Sequence, residues 1–146
     1  MQDIGRSKRA KQAYNFDDIT IVPSRRTRGQ EEVSLAWKID AVECDFPMLA
    51  APMDSIMSPQ TAITVGRCGG LGVLNLEGLW TRYAEPEPLL AEIASIEDNP
   101  TATRRMQELY AAPIQPELIT ARMQEIREAG VPVAGSLSPQ NTAEFA

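Results

Sequence analysis

An α/β fold with neighbouring parallel strands is what the sequence predicts, and three observations carry that reading. Residues 46–51, 72–76 and 131–136 are short, mostly apolar runs of the kind that suits a strand covered on both faces. Helical sequence separates each run from the next, the pattern of βα units feeding one sheet. The 146 residues are 43% hydrophobic and 23% charged, the composition of a globular domain rather than of a disordered or fibrous chain.

Each element follows from local chemistry. Residues 1–13 are polar and aperiodic and read as a mobile arm; its basic group, Arg6, Lys8, Arg9 and Lys11, reads as solvated. Tyr14-Asn15-Phe16-Asp17-Asp18 leads into the β-branched run Ile19-Thr20-Ile21-Val22, a strand signal closed by Pro23. Residues 24–32 form a charged loop. Val33, Leu35, Trp37 and Ile39 then alternate with polar or small residues, as in a half-buried strand. After the strand at 46–51, Ser58 is suited to cap a helix with Pro59 in its first turn. Ala62, Ile63 and Val65 give that helix an apolar face, and Gly69-Gly70 stops it. With the strand at 72–76, residues 47–76 make one βαβ unit.

Residues 78–130 are helical and more polar. Leu89, Leu90, Ile93 and Ala94 share one face, Met106, Leu109 and Tyr110 a second, and Leu118, Ile119, Met123 and Ile126 a third, ended by Gly130. Residues 86–129 are therefore expected outside the sheet. A third strand at 131–136 follows, and Ser138-Pro139 offers the cap and first turn of a further helix.

The net charge of −6 disfavours duplex nucleic acid and anionic membrane as partners. That charge is uneven: residues 1–38 carry eight basic and five acidic side chains, residues 39–146 six and fifteen. No apolar run approaches the length of a spanning helix, and the first twenty residues are too polar for a secretory leader, so the cytoplasm is the expected compartment. Cys44 and Cys68 are the only cysteines and there is no histidine, which removes zinc-cluster, CxxC and histidine-based triad chemistry. Both cysteines read as packing residues with reduced thiols.

Three stretches invite a chemical reading. The glycines of Gly66-Arg67-Cys68-Gly69-Gly70-Leu71-Gly72 suggest a phosphate loop, but that motif needs a strand before it and a helix after it, and here the order is reversed. Asp17-Asp18 suits turn and cap roles, because neighbours on an extended chain point to opposite sides; no metal site is expected. Ala51-Pro52-Met53-Asp54 follows the C-terminal end of a parallel strand, where α/β folds place ligands. Ala51 lets backbone approach a ligand and Met53 offers an adaptable apolar surface to a flat ring. Asp54 orients either the ligand or the loop itself.

Three motifs in these segments, in order, resemble the IMP dehydrogenase and GMP reductase family. They are Tyr14-Asn15-Phe16-Asp17-Asp18-Ile19-Thr20-Ile21-Val22-Pro23 (its "FDD" opening), Met48-Leu49-Ala50-Ala51-Pro52-Met53-Asp54-Ser55 (its "APMD" loop) and Gly69-Gly70-Leu71-Gly72-Val73-Leu74-Asn75 (its "GGLGV" strand). The resemblance is weaker over 77–130 and returns at 131–139.

That resemblance implies a (β/α)8 TIM barrel binding a purine nucleotide monophosphate at the C-terminal ends of its strands. It also implies hydride transfer between the purine C2 and a nicotinamide cofactor through a thioimidate on a loop cysteine. Ala51, Met53 and Asp54 carry over as substrate-binding positions. The catalytic cysteine, with its monovalent-cation loop, the phosphate loops and the flap have no counterpart, so no catalytic residue is expected in this chain. With three strands against the eight of a barrel, the chain reads as an incomplete, N-terminal part of one. The helical segment 78–130 stands in place of the usual CBS insertion, and Leu74-Asn75-Leu76-Glu77-Gly78-Leu79-Trp80 replaces a histidine-containing sequence. Both features resemble the short IMP dehydrogenase-related subgroup. The expected function is that of an NAD-dependent IMP dehydrogenase-like oxidoreductase, inactive as this piece alone and a homo-tetramer at full length. A GMP reductase and a non-catalytic nucleotide-binding or assembly module are the alternatives.

Overall fold

The computed structural model describes residues 2–3, 9–22 and 29–145, which divide into two compact units, Met1–Ser34 and Leu35–Ala146. In the first unit, β1 (Gln2–Asp3) and β2 (Arg9–Ala10) pair antiparallel within the segment read as an arm. A 3₁₀ turn at Phe16–Asp18 is closed by the Asp18 carboxylate, which accepts a hydrogen bond from the Asn15 backbone N–H at 2.9 Å. Asp18 thus has the capping role expected of it. A second 3₁₀ turn spans Gln30–Glu32. The strand expected at 19–22 is not formed: Ile19 is extended, but no ladder pairs with residues 19–22, and β-branching favours extended backbone without supplying a partner. Arg6, Lys8, Pro23 and residues 24–28 lie outside the described residues.

The second unit opens with a hairpin. β3 (Trp37–Ile39) pairs antiparallel with β4 (Val42–Cys44) around Asp40, whose φ of 50° is a left-handed conformation that aspartate tolerates. The alternation from Val33 to Ile39 thus yields a strand only over its last three residues. The Trp37 indole N–H donates to the Phe46 carbonyl at 2.8 Å and ties the hairpin to the chain entering the sheet.

That sheet has three parallel strands in the order β5 (Leu49–Ala50), β6 (Leu71–Asn75), β7 (Ala134–Ser136). The three apolar runs are neighbours and parallel, as expected, though β5 and β7 are shorter than their runs. Helix α1 (Pro59–Arg67) links β5 to β6. Its cap is Ser58, whose hydroxyl accepts from Thr61 N at 3.0 Å, and Gly69, at a φ of 86°, turns the chain back toward β6. Helices α2 (Glu87–Ala94), α3 (Asn99–Tyr110) and α4 (Pro116–Glu128) occupy the expected helical segment, with Gly130 at a φ of 75° after α4. The last helix, α5 (Thr142–Phe145), starts later than Ser138-Pro139 suggests, because residues 139–141 form a turn before it.

One core joins α1 and α4 to the sheet. Met57, Ala62, Ile63, Leu74, Leu76, Trp80, Ile119 and Ile126 are buried together, Leu74 and Ile126 completely. The approach of α1 to β6 is set by Gly72, since a Cβ there would stand 2.5 Å from the Ala62 Cα. We therefore expect Gly72→Ala to destabilise the chain by about 1–3 kcal/mol through overpacking. Thr103→Ala, on the exposed face of α3, should stay within about 0.5 kcal/mol. Urea unfolding midpoints compare the two.

Candidate functional site

Because the three strands are parallel, the segments that follow them, beginning at Ala51, Leu76 and Leu137, leave the sheet at one edge. Asp54 is the hub of that edge. Its Oδ2 accepts hydrogen bonds from the Leu79 backbone N–H and the Tyr110 hydroxyl, both at 2.6 Å, and its Oδ1 accepts one from the Asn75 side-chain amide at 3.2 Å. The carboxylate therefore joins the loop after β5 to the end of β6, to the 3₁₀ turn at Leu79–Thr81 and to the last residue of α3. Gly78 is required beside it, since a Cβ at that position would run into the carboxylate. Of the two roles left open for Asp54, the one visible here is holding the loop.

A second carboxylate does similar work next door. Glu77 accepts from the Ser138 backbone N–H at 2.5 Å, the Ser138 hydroxyl at 3.0 Å and the Asn141 side-chain amide, fastening the loop after β6 to the loop after β7. The Ser138 N–H first, then the Asn141 amide, hold its carboxyl below the usual carboxylate range. Asn75 bridges the two clusters, donating to Asp54 and accepting from Glu77 N at 3.0 Å.

The turn carrying Leu79 is anchored from behind. The Thr81 hydroxyl, fully buried, donates to the Leu76 carbonyl at 2.8 Å, and Gln115 N donates to the Thr81 carbonyl at 2.8 Å. Arg82 donates to the Glu77 and Ala112 carbonyls, and its guanidinium lies 5.7 Å from the centre of the Tyr110 ring. Burial first, then the neighbouring Asp54 carboxylate, push the Tyr110 hydroxyl well above the ordinary phenol range, so it stays a donor.

With Asp54 engaged on both oxygens, Met53 and Ala51 remain exposed beside it. Met53, Asp54 and Ser55 line one side of a cavity of about 620 Å³, closed on the other by α2 and α3. Those helices are clamped to each other by Arg105, whose guanidinium donates to both Glu92 carboxylate oxygens at 2.6 and 3.0 Å. The expected positions Ala51, Met53 and Asp54 thus fall together at the strand ends. Asn75, Glu77 and Tyr110 complete the arrangement, and sequence reasoning missed all three. The sequence pattern places Tyr110 only on an apolar helical face.

The cysteines lie elsewhere. Cys44 ends β4 and Cys68 precedes β6, away from the strand ends that carry Asp54, and Cys44 lines a small recess with Gly66, Gly69 and Gly70. Cys44 is buried, as a packing residue should be. Cys68 is exposed, against the packing expectation: it is the residue after the last turn of α1, and its backbone N–H, not its side chain, closes that helix. The nearby glycines serve chain reversal and close helix approach, so this stretch does not form a phosphate cradle.

Comparison with known proteins places this geometry in context. The model of the IMP dehydrogenase / GMP reductase domain matches residues 13–135. An uncharacterized oxidoreductase of Mycolicibacterium smegmatis is 48% identical over 145 residues, 97% of this chain and 39% of the relative. An uncharacterized oxidoreductase of Mycobacterium tuberculosis is 47% identical with the same coverage. An inosine-5'-monophosphate dehydrogenase of Staphylococcus aureus is 27% identical over 137 residues. The crystal structure of an IMP dehydrogenase/GMP reductase-like protein from Corynebacterium glutamicum superposes with a TM-score of 0.83 at 42% identity, covering 97% of this chain and 39% of that one. The chain spans about two fifths of the length of these first relatives.

Two outcomes test the edge network. Tyr110→Phe removes one donor from Asp54 and leaves the other two; stability should fall by about 1 kcal/mol, with a shift of the Met53 methyl resonance reporting the loosened loop. Glu77 carries a lowered carboxyl in the folded state, so its contribution is present above the ordinary value of 4.5 and lost as pH falls through the folded value. Glu77→Gln should accordingly be less stable than wild type at pH 7, with the difference shrinking below pH 4.5 in urea titrations at each pH.

Proposed function

The chain belongs to the IMP dehydrogenase / GMP reductase domain family, and from that premise we propose that it forms one wall of a purine nucleotide monophosphate site in an oxidoreductase. The observation that carries this reading is the 51–54 loop. It leaves the C-terminal end of β5 and is pinned through Asp54, with the apolar Met53 side chain left exposed for the face of a flat base.

The substrate we assign is IMP, oxidised at C2 with NAD; the support is the inosine-5'-monophosphate dehydrogenase among the relatives. The fold we assign is the N-terminal part of a (β/α)8 barrel of the short, CBS-less subgroup, in keeping with 48% identity to the Mycolicibacterium smegmatis oxidoreductase against 27% to that dehydrogenase. On this reading the full-length protein is a cytoplasmic homo-tetramer. Among the described residues no helix is long and apolar enough to cross a membrane.

Within this division of labour the chain's own residues bind and orient. Ala51 admits the ligand close to backbone, Met53 contacts the base, and Asp54 holds the loop rigid. A nicotinamide cofactor would supply the hydride acceptor, but neither the glycine stretch nor the cavity lining offers a seat for its phosphates, and we assign its binding to later segments of the family's barrel. The same holds for the monovalent cation and the nucleophilic cysteine.

Replacing Met53 by Asp would press an unpaired carboxylate against the purine face, at a desolvation cost of several kcal/mol. Calorimetry with IMP should then give a Kd at least about 100-fold weaker for Met53→Asp, a loss of about 2.7 kcal/mol. Thr103→Asp, which adds the same charge on the exposed face of α3, should leave it unchanged. Equal IMP affinity in wild type and Met53→Asp would remove this loop from the site.

A further inference from the structure

We propose that the cavity between the 53–55 segment and the α2–α3 hairpin is a separate binding site for a neutral, flat aromatic or heteroaromatic ring. Its volume of about 620 Å³ falls within the range of small-molecule sites. The walls are the thioethers of Met53 and Met106, the side chains of Leu79, Leu90 and Ile93, and Tyr110. Two polarizable sulfurs, three aliphatic side chains and an aromatic ring suit a flat aromatic body, because thioether sulfur favours contact with the edges of aromatic rings.

Charge decides what such a ligand carries. Among the described residues no lysine or arginine lines the cavity, and the one ionised group of that lining, Asp54, already accepts three hydrogen bonds. A phosphate or carboxylate inside would be desolvated without a partner beside an existing negative charge, so anionic groups are excluded. Ser55 is the free polar group of the lining: its hydroxyl makes no hydrogen bond among the described residues, and it meets the hydrogen-bonding edge of the ring. One wall is built by the helical segment 87–110, which the nucleotide reading uses only through the Tyr110 hydrogen bond that holds Asp54. The two sites share only the 53–55 segment.

The test uses the 146-residue chain with indole as the neutral ring, indole-3-acetate as its anionic counterpart and cyclohexanol as an apolar but non-aromatic one. Indole is titrated by NMR, and nuclear Overhauser contacts are sought to the Met53 and Met106 methyls. Ala94→Phe, at an exposed lining position at the end of α2, puts bulk into the cavity from its helical wall and changes no residue of the 53–55 segment. The expected results are contacts to both methyls in wild type, binding of indole at least tenfold tighter than of either comparison compound, and at least tenfold weaker indole binding in Ala94→Phe with IMP affinity unchanged.

Equal affinity for indole and indole-3-acetate, or indole binding unaltered by Ala94→Phe, would overturn the proposal. Should Ala94→Phe not fold, absence of the methyl contacts in wild type overturns it instead. Loss of IMP binding in folded Ala94→Phe would make the cavity the base pocket of the nucleotide site, sinking the separate site while sparing the nucleotide reading. Self-association that Ala94→Phe abolishes, with no response to indole, would assign the cavity to a second copy of the chain and equally overturn it. A wild type that binds indole with contacts to both methyls but does not bind IMP supports the separate site, since this chain supplies only one wall of the nucleotide site.

Discussion

The Asp54 carboxylate is the constraint on which the edge at the strand ends depends. A loop leaving a two-residue strand has little of its own to fix it: β5 pairs with β6 at only Leu49 and Ala50. Three donors from three places, the Leu79 backbone, the Asn75 amide and the Tyr110 hydroxyl, supply what the short ladder does not. Hydrogen bonds to a charged acceptor are the stronger kind, and an acceptor with several donors tolerates the weakening of one. The network also runs across long separations, with Asp54 and Tyr110 lying 56 residues apart. It thereby converts the helical segment after β6 from an appendage into part of the edge.

Glu77 repeats the device one strand further along. It gathers the loop after β7 by three donors, as Asp54 gathers the loop after β5, and Asn75 at the end of β6 touches both systems. The middle strand is thus the reference from which both neighbouring loops are positioned. Its burial agrees with that role: Leu74 is fully enclosed between α1, α4 and the sheet, and Gly72 permits the closest helix approach. Packing on the helix-covered face fixes β6, and carboxylate networks at the strand ends transmit that position sideways.

How much of this was legible beforehand depends on the range of the interaction. Local chemistry was readable: Ser58 caps α1, Gly69 and Gly130 take the left-handed turns, and three apolar runs became three parallel strands. Elements needing a partner were read less well. The run 19–22 has the residues of a strand but pairs with no strand among the described residues. The strand ending at Ile39 formed only where β4 folds back on it. The Tyr110 link was invisible, because a tyrosine on a helical apolar stripe carries no sign of an aspartate 56 residues earlier. Ala51, Met53 and Asp54 were found because they follow a strand end, a positional argument that holds whatever their side chains touch.

The charge distribution limits what this edge can hold. Residues 39–146 carry fifteen acidic and six basic side chains. Arg82 donates to the Glu77 and Ala112 carbonyls, and Arg122 to those of Trp80 and Ala84, so part of each guanidinium is spent on backbone. The carboxylates of Asp54 and Glu77 are screened by the donors they accept. On the proposed nucleotide reading, an edge of this kind would contact the uncharged part of the ligand. The phosphate would then take its donors from backbone N–H groups or from other segments, and that would separate recognition of the base from recognition of the anion.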